Sequence, residues 1–281
     1  MATRVFCIGN GESRKNFDLQ SLRPYGKIYG CNALYRDFTP DVLTAVDHGI
    51  MHEIYHSGYC YNNETWLRDW TRVPAMMYDN LVYGPIDEET KNELSKFDIK
   101  KENKRTDEEE FVMHGSNLIG MATILKKNKE TFLKQINQSN VSISWTKNND
   151  KSHSLKEIMP DGKDMGWACG ATSGFVACTN EKPQEVFLIG HDLNSTTGKI
   201  NNVYKGSKHY GLPEAGPIPS VNWITQWKTL FGKFPKTTFY KVNLHNKGTD
   251  RVNTRIHEWR DVKNIKYINF EILMDLLNDT K

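Results

Sequence analysis

The feature that most constrains this chain is a series of short apolar runs, each followed by residues that favour turns. Four such runs in the first half are Val5–Ile8, Lys27–Cys31, Val42–Val46 and Ala75–Tyr78. They are followed by Gly-Asn-Gly, Asn, Asp-His-Gly and Asp-Asn, in that order. Continuous apolar runs of this length are typical of strands that are buried on both faces, as in a parallel sheet covered by helices.

The second half alternates predicted helices with predicted strands. Helices are expected at 170–179, 219–231 and 271–277, and strands at 185–190, 239–244 and 266–270. The helix at 219–231 has Val221, Ile224, Trp227 and Leu230 at helical spacing. Strands that alternate with helices indicate an α/β fold, here a Rossmann-like doubly wound sheet that is mainly parallel.

Three stretches depart from this alternation. Asp87–Glu110 is a mixed charge run, predicted to be a solvated helical excursion or loop, and Asn137–Lys163 is rich in Asn, Ser and Lys and is expected to be mobile. Together they predict a charged insertion over residues 87–165. Residues 192–216 show little regular pattern, which in a compact domain is typical of a lid. Since no repeat or linker is visible, one domain over 1–281 with insertions is preferred to two.

Composition excludes several classes of protein. The chain has 281 residues, of which 38% are hydrophobic and 25% are charged, so it is neither fibrous nor wholly disordered. Its apolar runs are far shorter than the ~20 residues that a membrane span needs. We expect no membrane association and, because no leader segment is visible, a cytoplasmic location. The five cysteines show no Cys-x-x-Cys spacing, which favours reduced core thiols.

The first candidate site is the turn Gly9-Asn10-Gly11, which follows the first predicted strand and precedes Ser13. Glycines let a backbone approach a ligand closely, and successive N–H groups at such a turn bind anions such as phosphate. The third residue after Gly11 is Arg14, so the turn is not the dinucleotide fingerprint, and it also lacks the Gly-Lys pair of a P-loop. A tight turn without a ligand is the alternative.

Polar residues follow four of the predicted strands: Asn10, Asn32, Asp47 and Asp192. The carboxyl ends of strands line the ligand crevice of open α/β sheets, although Asn and Asp are also ordinary turn residues. Four of them together favour a nucleotide-sized ligand. Thr172, Ser173 and Gly174 are placed just ahead of a helix, where hydroxyl and N–H groups suit a phosphate or ribose, and simple helix capping is the alternative.

Taken in order, five short blocks resemble the bacterial sialyltransferases of glycosyltransferase family 42. The blocks are IGNGES (8–13), GCNALY (30–35), GATSGFVAC (170–178), VFLIGHDL (186–193) and SKHYG (207–211). They agree with the family in order and spacing over residues 4–60 and 168–232, less than half of the chain. A phage-encoded relative of the family is one interpretation.

The resemblance implies a single-domain transferase of the glycosyltransferase-A-variant type, with a lid and without a metal or other cofactor. It implies that Asn10, Ser13, Asn32, Thr172, Ser173 and Gly174 hold the nucleotide. From their places in the turn and after the predicted strands, Gly9, Gly11, Asp47 and Asp192 are also assigned to donor binding. Tyr204, with Tyr210, would bind the leaving phosphate of the nucleotide-sugar. His209 would be the general base, because an imidazole can take a proton from an acceptor hydroxyl near neutral pH. Single displacement of this kind inverts the anomeric centre.

The sequence does not fully identify the nucleotide and the sugar of the donor. The family has an Asn-Pro-Gly-like turn where this chain has Asp47-His48-Gly49, which would place a carboxylate and an imidazole near the donor. CMP is favoured as the nucleotide, UDP is the alternative, and the transferred sugar is not identified.

The distribution of charge bears on the acceptor. Residues 199–266 hold 13 Lys and Arg against 4 Asp and Glu, a local charge of +9, and the rest of the chain carries −6. The segment includes Trp223, Trp227 and Trp259, and basic residues with interleaved aromatics suit a polyanion. A solvated basic surface over core tryptophans is the alternative.

Double-stranded DNA with a hydroxymethylated base, as some phages make, would supply both a polyanion and a primary hydroxyl, and the base would have to be flipped out. We assign Lys228, Lys233 and Lys236 to its binding. The competing functions are transfer to a surface glycan or lipooligosaccharide and non-catalytic nucleotide binding. A pterin-type pyrophosphokinase is a further alternative, but the carboxylate cluster it would need is not found in the sequence.

Overall fold

The computed structural model describes residues 3–68, 71–74, 109–114, 142–147, 150–162, 165–195, 197–243 and 255–279. The strands in these ranges are β1 (Arg4–Ile8), β2 (Lys27–Cys31), β3 (Val42–Ala45), β4 (Glu64–Leu67), β5 (Thr71–Pro74), β6 (Glu109–His114), β7 (Ser142–Lys147), β8 (Ser152–Ser154), β9 (Glu185–Ile189), β10 (Thr238–Asn243) and β11 (Ile265–Asn269). The α-helices are α1 (His48–His56), α2 (Tyr59–Asn62), α3 (Cys169–Glu181), α4 (Val221–Lys233) and α5 (Phe270–Asn278).

The chain divides into two compact units. The first unit comprises Met1–Ala45 with Met165–Lys281, and the second unit is Val46–Asp164. The sequence favours one domain with an insertion over 87–165, and that domain count stays a prediction.

The first unit is built on a parallel sheet in the order β3-β2-β1-β9-β10-β11. Counted along this unit, the order is third, second, first, fourth, fifth, sixth, which is the doubly wound arrangement of Rossmann-like folds. The predicted fold class is therefore confirmed. Because the strand order reverses between β1 and β9, the ligand crevice of such a sheet is expected at the carboxyl ends of these two strands.

Aromatic stacking holds the middle of this sheet together. Phe6 stacks on Phe187 with ring centroids 5.2 Å apart, and Phe187 stacks on Tyr240 at 4.8 Å. These residues are register partners on β1, β9 and β10. Since successive side chains alternate between faces, their neighbours Cys7 and Lys241 point to the opposite face. There α3 packs against β1, β2 and β3.

The second unit contains α1, α2, the parallel pair β4 and β8, and the antiparallel sheet β5-β6-β7. Three of its strands correct the sequence interpretation. Glu109 and Glu110 begin β6 rather than ending a helical or loop excursion, and the Asn- and Ser-rich stretch at 137–163 contains β7 and β8. Cross-strand pairing outweighed the polar composition of these segments. The strand predicted at Ala75–Tyr78 lies outside the described residues.

Most other predicted elements are confirmed. The helices α3, α4 and α5, and the strands β1, β2, β3, β9, β10 and β11, each begin and end within two residues of the predicted bounds. All five cysteines are buried free thiols, as expected. None of the described helices is long and apolar enough to cross a bilayer.

Candidate functional site

The turn after β1 is held against the end of β9 by its own backbone. The N–H of Gly9 donates to the carbonyl of Ile189 at 2.7 Å, and the N–H of Gly11 donates to Gly190 at 2.8 Å. A Cβ atom on Gly9 would lie 2.5 Å from the Gly190 carbonyl oxygen, so the two segments approach closely because glycine occupies this position. Gly190 itself has a φ of +70°. At these glycines the turn after β1 makes close backbone contact with the end of β9.

The backbone N–H groups of the next two residues, Glu12 and Ser13, donate to side-chain oxygens. Asp192 accepts the Ser13 N–H at 3.1 Å and also the Ser13 hydroxyl, while the Glu12 N–H donates to Asn201 Oδ1 at 2.8 Å. A Cβ on Gly11 would lie 2.4 Å from Asp192 Oδ2. The N–H groups of Gly9, Gly11, Glu12 and Ser13 thus already donate within the protein, and the phosphate-binding role of this turn stays a prediction. Ser13 and Asp192, both predicted to bind the donor, bind each other.

Arg14, which in the sequence only excludes the dinucleotide fingerprint, is a buried residue of this turn. Its Nε donates to the Gly9 carbonyl at 2.7 Å, and its Nη2 donates to the Tyr204 hydroxyl at 3.0 Å. Tyr204 in turn donates to Asp37. Burial, followed by the hydrogen bond to Asp37, raises the pKa of Tyr204 well above its ordinary value. The Tyr204 hydroxyl, predicted to hold the leaving phosphate, is thus engaged within the protein.

Asn10 lies between the ends of β1 and β2. Its Nδ2 donates to the Cys31 carbonyl at 3.3 Å and to the Tyr210 hydroxyl at 3.4 Å. The Tyr210 hydroxyl also accepts the Ala33 N–H at 3.3 Å. The buried Oδ1 of Asn10 has no hydrogen-bond partner in the part of the chain that the structure describes. An acceptor left in this state costs free energy unless a ligand or water satisfies it. Asn10 is therefore the best candidate ligand contact of the turn.

Asn32 follows β2 as predicted, and its φ is +48°. A left-handed backbone is uncommon for residues other than glycine, and Asn is among those that tolerate it. It begins the short 3-10 helix Asn32–Arg36, which brings the Ala33 N–H to Tyr210.

The predicted lid forms turns between β9 and α4. The Val203 N–H donates to the Asn10 carbonyl at 2.8 Å, which fixes the segment above the end of β1. Arg36 donates to the Ser207 hydroxyl at 2.8 Å and to the Lys208 carbonyl at 3.1 Å. Its guanidinium lies 5.8 Å from the Tyr210 ring centroid. Arg36 directly follows the GCNALY block, and none of the motifs found in the sequence includes it.

His209 lies in a small closed loop of this segment. The Gly206 N–H donates to the Gly211 carbonyl at 2.7 Å and closes the loop. His209 is exposed and has a φ of +68°. A left-handed backbone is uncommon for residues other than glycine, and histidine is among those that adopt it more often.

The predicted helix-start site at Thr172, Ser173 and Gly174 is wrong in position, because α3 begins at Cys169. Thr172 donates to the Ala168 carbonyl at 3.0 Å, and Ser173 donates to the Gly30 carbonyl at 3.4 Å. A Cβ on Gly174 would lie 2.7 Å from the Trp227 ring, so this glycine allows α3 to approach α4. These residues pack the helix rather than begin it.

A second polar group is buried on the β9 and β10 side of the crevice. Lys241 is 3% exposed, Asn243 4% and His191 6%, and the sequence does not predict that any of them forms a buried site. Burial, and secondarily the Lys241 charge, lowers the pKa of His191 to about 3. Burial also lowers the pKa of Lys241 to about 8, against the opposing effect of Asp192.

In the basic segment at 199–266, the lysines of α4 and its exit are exposed, whereas two of the tryptophans are buried. Lys228, Lys233 and Lys236 are exposed on α4 and just beyond it. Trp227 and Trp259 are each 1% exposed, so the expectation of aromatics interleaved with surface cations is wrong for both. Helical spacing placed Trp227 on the core face of α4. Arg260 and Lys263 add exposed cations beside the end of this helix, which Asn264 holds through the carbonyls of Phe231 and Phe234.

Asp47, the remaining predicted donor contact, belongs to the second unit. It is exposed and directly precedes α1. Across the described ranges, no three His, Cys, Asp or Glu side chains are grouped closely enough to hold a metal ion.

Comparison with known proteins gives no relative for this chain: no protein-family model, no curated protein and no solved structure matches it. Its function must therefore be inferred from the residues of the site.

Proposed function

We propose that the chain is an inverting glycosyltransferase that takes a sugar from a nucleotide donor, with CMP favoured over UDP. The observation that supports this most directly is the Oδ1 of Asn10, which is buried without a hydrogen-bond partner among the described residues at the carboxyl end of β1 in a doubly wound sheet. Nucleotides bind at this edge in folds of this order. The amide oxygen would accept from an N–H of the base or a hydroxyl of the ribose.

The contacts around Asn10 suit a nucleoside. The Ala33 N–H and the Asn10 Nδ2 both donate to the Tyr210 hydroxyl, so Tyr210 holds the segment after β2 beside the Asn10 amide. The Asn10 Oδ1 remains the acceptor that a ribose hydroxyl or a base N–H would meet. Arg14 and Arg36, whose guanidinium groups lie beside the tyrosine rings, would offset the charge that develops on the leaving phosphate.

His209 would act as the general base. Its imidazole would take the proton from the acceptor hydroxyl while that oxygen forms a bond to the anomeric carbon. The bond from this carbon to the donor phosphate breaks in the same step, and the nucleotide leaves with the bonding electrons. Attack from the face opposite the leaving group inverts the anomeric centre. The exposed position of His209 at a loop tip suits a large acceptor.

We further propose that the acceptor is a hydroxymethylated base in double-stranded DNA. The exposed cations Lys228, Lys233, Lys236, Arg260 and Lys263 support it, because phosphate contacts supply most of the affinity of non-specific DNA binding. A base within the helix stack would have to be flipped out to meet His209. Transfer to a surface glycan is the alternative for the same donor site.

The direct test offers CMP- and UDP-sugars together with duplexes that carry cytosine or hydroxymethylcytosine, followed by digestion to nucleosides and mass analysis. A gain of one sugar residue on the hydroxymethylated base alone is the expected result. Transfer to an oligosaccharide and not to DNA would replace the acceptor. Nucleotide binding without transfer to any acceptor would favour a non-catalytic binding protein.

Charge reversal separates acceptor from donor binding. In the triple variant Lys228→Glu, Lys233→Glu and Lys236→Glu, DNA affinity should fall and the slope of log K against log salt should shrink by about 0.9 for each phosphate that is no longer neutralised. The affinity for CMP should not change, because Asn10 and its neighbours are untouched. A control triple variant at Lys15, Lys151 and Lys156, outside the basic segment, should keep both. An equal decrease of DNA affinity in the control would contradict this interface.

A further inference from the structure

Three polar side chains, Lys241, Asn243 and His191, are almost completely buried, although polar groups are costly to remove from water. Lys241 lies within the buried strand β10, between Tyr240 and Val242, and Asn243 is the last residue of that strand. His191 follows the end of β9, the neighbouring strand. We call these three residues the β10 cluster.

The internal contacts of the β10 cluster satisfy only part of it. Lys241 Nζ donates to Asn243 Oδ1 at 2.6 Å, and within the described ranges no carboxylate lies close enough to form an ion pair with it. This contact turns the oxygen of the Asn243 amide toward the ammonium. The amide nitrogen, Nδ2, is consequently buried without a partner among the residues that the structure describes.

His191 is held in one orientation. Its ring has a hydrogen bond with the backbone of Cys7, and it meets the Trp227 ring edge-on with centroids 5.0 Å apart. A Cβ on Gly170 would lie 2.9 Å from His191 Cε1, so the absence of a side chain there leaves room for the imidazole. Its Nε2 is buried and has no hydrogen-bond partner in the described part of the chain.

A buried ammonium that lacks a counter-ion is costly, and such groups are usually paired or neutralised. The carboxylate of Asp192 raises the pKa of Lys241 through its charge, but this carboxylate already accepts two hydrogen bonds from Ser13. Even with a pKa lowered to about 8, Lys241 remains mostly charged at pH 7. The ammonium and the unpartnered Nδ2 are both donors. Together they match two oxygens of one anion.

We propose that the β10 cluster binds one anionic group, a carboxylate or a phosphate, of a substrate that enters the crevice at the carboxyl ends of β9 and β10. Lys241 and Asn243 Nδ2 donate to its oxygens, and His191 Nε2 is left for a hydroxyl of the same ligand. Asn10 lies on the other side of the switch point, between β1 and β2. This site is therefore separate from the proposed nucleoside contact and does not depend on it.

The test measures the melting temperature of the full chain at pH 7 as sodium chloride is replaced by sodium phosphate or sodium malonate at constant ionic strength. A ligand that binds only the folded state raises the melting temperature with its concentration. We expect one or both anions to do so, and the stronger one to identify the class as phosphate or carboxylate.

Two variants assign the response to the cluster. Lys241→Met removes the charge at similar volume, and Asn243→Asp supplies an internal carboxylate that pairs with the ammonium. Each should weaken the anion affinity at least tenfold. Because a buried ammonium without a counter-ion is costly, we expect both variants to fold, and Asn243→Asp should melt above the wild type in chloride alone.

The controls are Lys266→Met, which removes an exposed cation on the neighbouring strand, and Asn10→Ala, which removes the proposed nucleoside contact and the hydrogen bonds to Cys31 and Tyr210 but leaves the β10 cluster intact. Both should keep the wild-type response to anions. The proposal is overturned if neither anion raises the melting temperature of the wild type, or if Lys241→Met and Asn243→Asp respond as the wild type does. A loss of CMP binding in Asn10→Ala bears on the nucleotide site alone.

Discussion

The turn after β1 and the strand ends on either side of it use similar residues for opposite purposes. In the turn, Gly9, Gly11 and Ser13 donate their N–H groups to other parts of the chain, and Asp192 accepts two hydrogen bonds from Ser13. By contrast, the side-chain Oδ1 of Asn10, within the same turn, and the Nδ2 of Asn243 at the end of β10 are buried without partners among the described residues. We call the N–H groups of Gly9, Gly11 and Ser13, with Asp192, the closed turn, and we call the side chains of Asn10 and Asn243 the open flanks.

The difference shows where a ligand is to be expected. A glycine-rich turn after a strand resembles an anion site, but its N–H groups are useful to a ligand only when the protein leaves them unoccupied. In this chain the closed turn fastens β1 to β9. The open flanks keep polar atoms that a ligand would satisfy.

The largest effect is expected at the catalytic residue that we assign beside the open flanks. His209→Asn should lower the turnover of sugar transfer by about 10²–10⁴-fold, because asparagine tolerates the left-handed backbone but cannot take the proton. Binding of CMP, measured by calorimetry, should not change. His153→Asn, at a half-buried histidine of β8 outside the proposed donor site and DNA surface, is the control. Turnover close to that of the wild type in His209→Asn would remove this residue from the mechanism.

A substitution in the closed turn should lower the stability of the protein rather than its turnover. Gly11→Ala places a methyl group where a Cβ would lie 2.4 Å from Asp192 Oδ2 and 2.7 Å from the Gly190 oxygen. We expect the free energy of unfolding, measured by urea titration, to fall by about 3 kcal/mol. Gly232→Ala is the control, since no atom lies within 4 Å of its Cβ position in α4, and it should raise stability by about 0.5–1 kcal/mol. Equal stabilities of the two variants would contradict close packing in the turn.

The buried imidazole of His191, in the β10 cluster, should make stability depend on pH. The pKa of His191 is lowered to about 3 by burial and by Lys241, whereas an unfolded histidine titrates near 6.5. Between these values the unfolded chain binds more protons, so the contribution of His191 is complete above pH 6.5 and is lost as the pH falls toward 3. At pH 5 the loss should be about 2 kcal/mol.

The measurement compares unfolding free energies at pH 7 and pH 5 in the wild type and in His191→Asn. Other groups titrate equally in both proteins, so the wild type should lose more stability between the two pH values. An identical loss would mean that His191 is not buried as a neutral ring.

The fold was predictable from the sequence because its signals are local. Apolar runs such as Val5–Ile8 have the length of buried strands, and Val221, Ile224, Trp227 and Leu230 show a helical period. The order of strands in the sheet was not predicted, since it is set by contacts between distant segments. The same is true of the closed turn, where Ser13 meets Asp192 across 179 positions of the chain.

The site was predicted in part. Polar residues after buried strands are visible in the sequence, which is how Asn10 and Asn32 were identified, and their binding roles stay predictions. Whether an N–H is occupied depends on distant residues, so the sequence could not show that Gly9, Gly11 and Ser13 donate to other parts of the chain. Lys241 carried a usable signal, namely a lysine between the apolar residues of a predicted strand. The local charge of +9 includes it among the surface cations instead.

Above all, we infer that the open flanks bind ligand and that the closed turn does not. Calorimetric titration of CMP into the wild type, Asn10→Ala and Ser13→Ala separates the two regions. Asn10→Ala should lose about 1–3 kcal/mol of binding free energy. Ser13→Ala should melt at a lower temperature and keep the wild-type affinity. Wild-type affinity in Asn10→Ala, or an equal loss of affinity in Ser13→Ala, would contradict the inference.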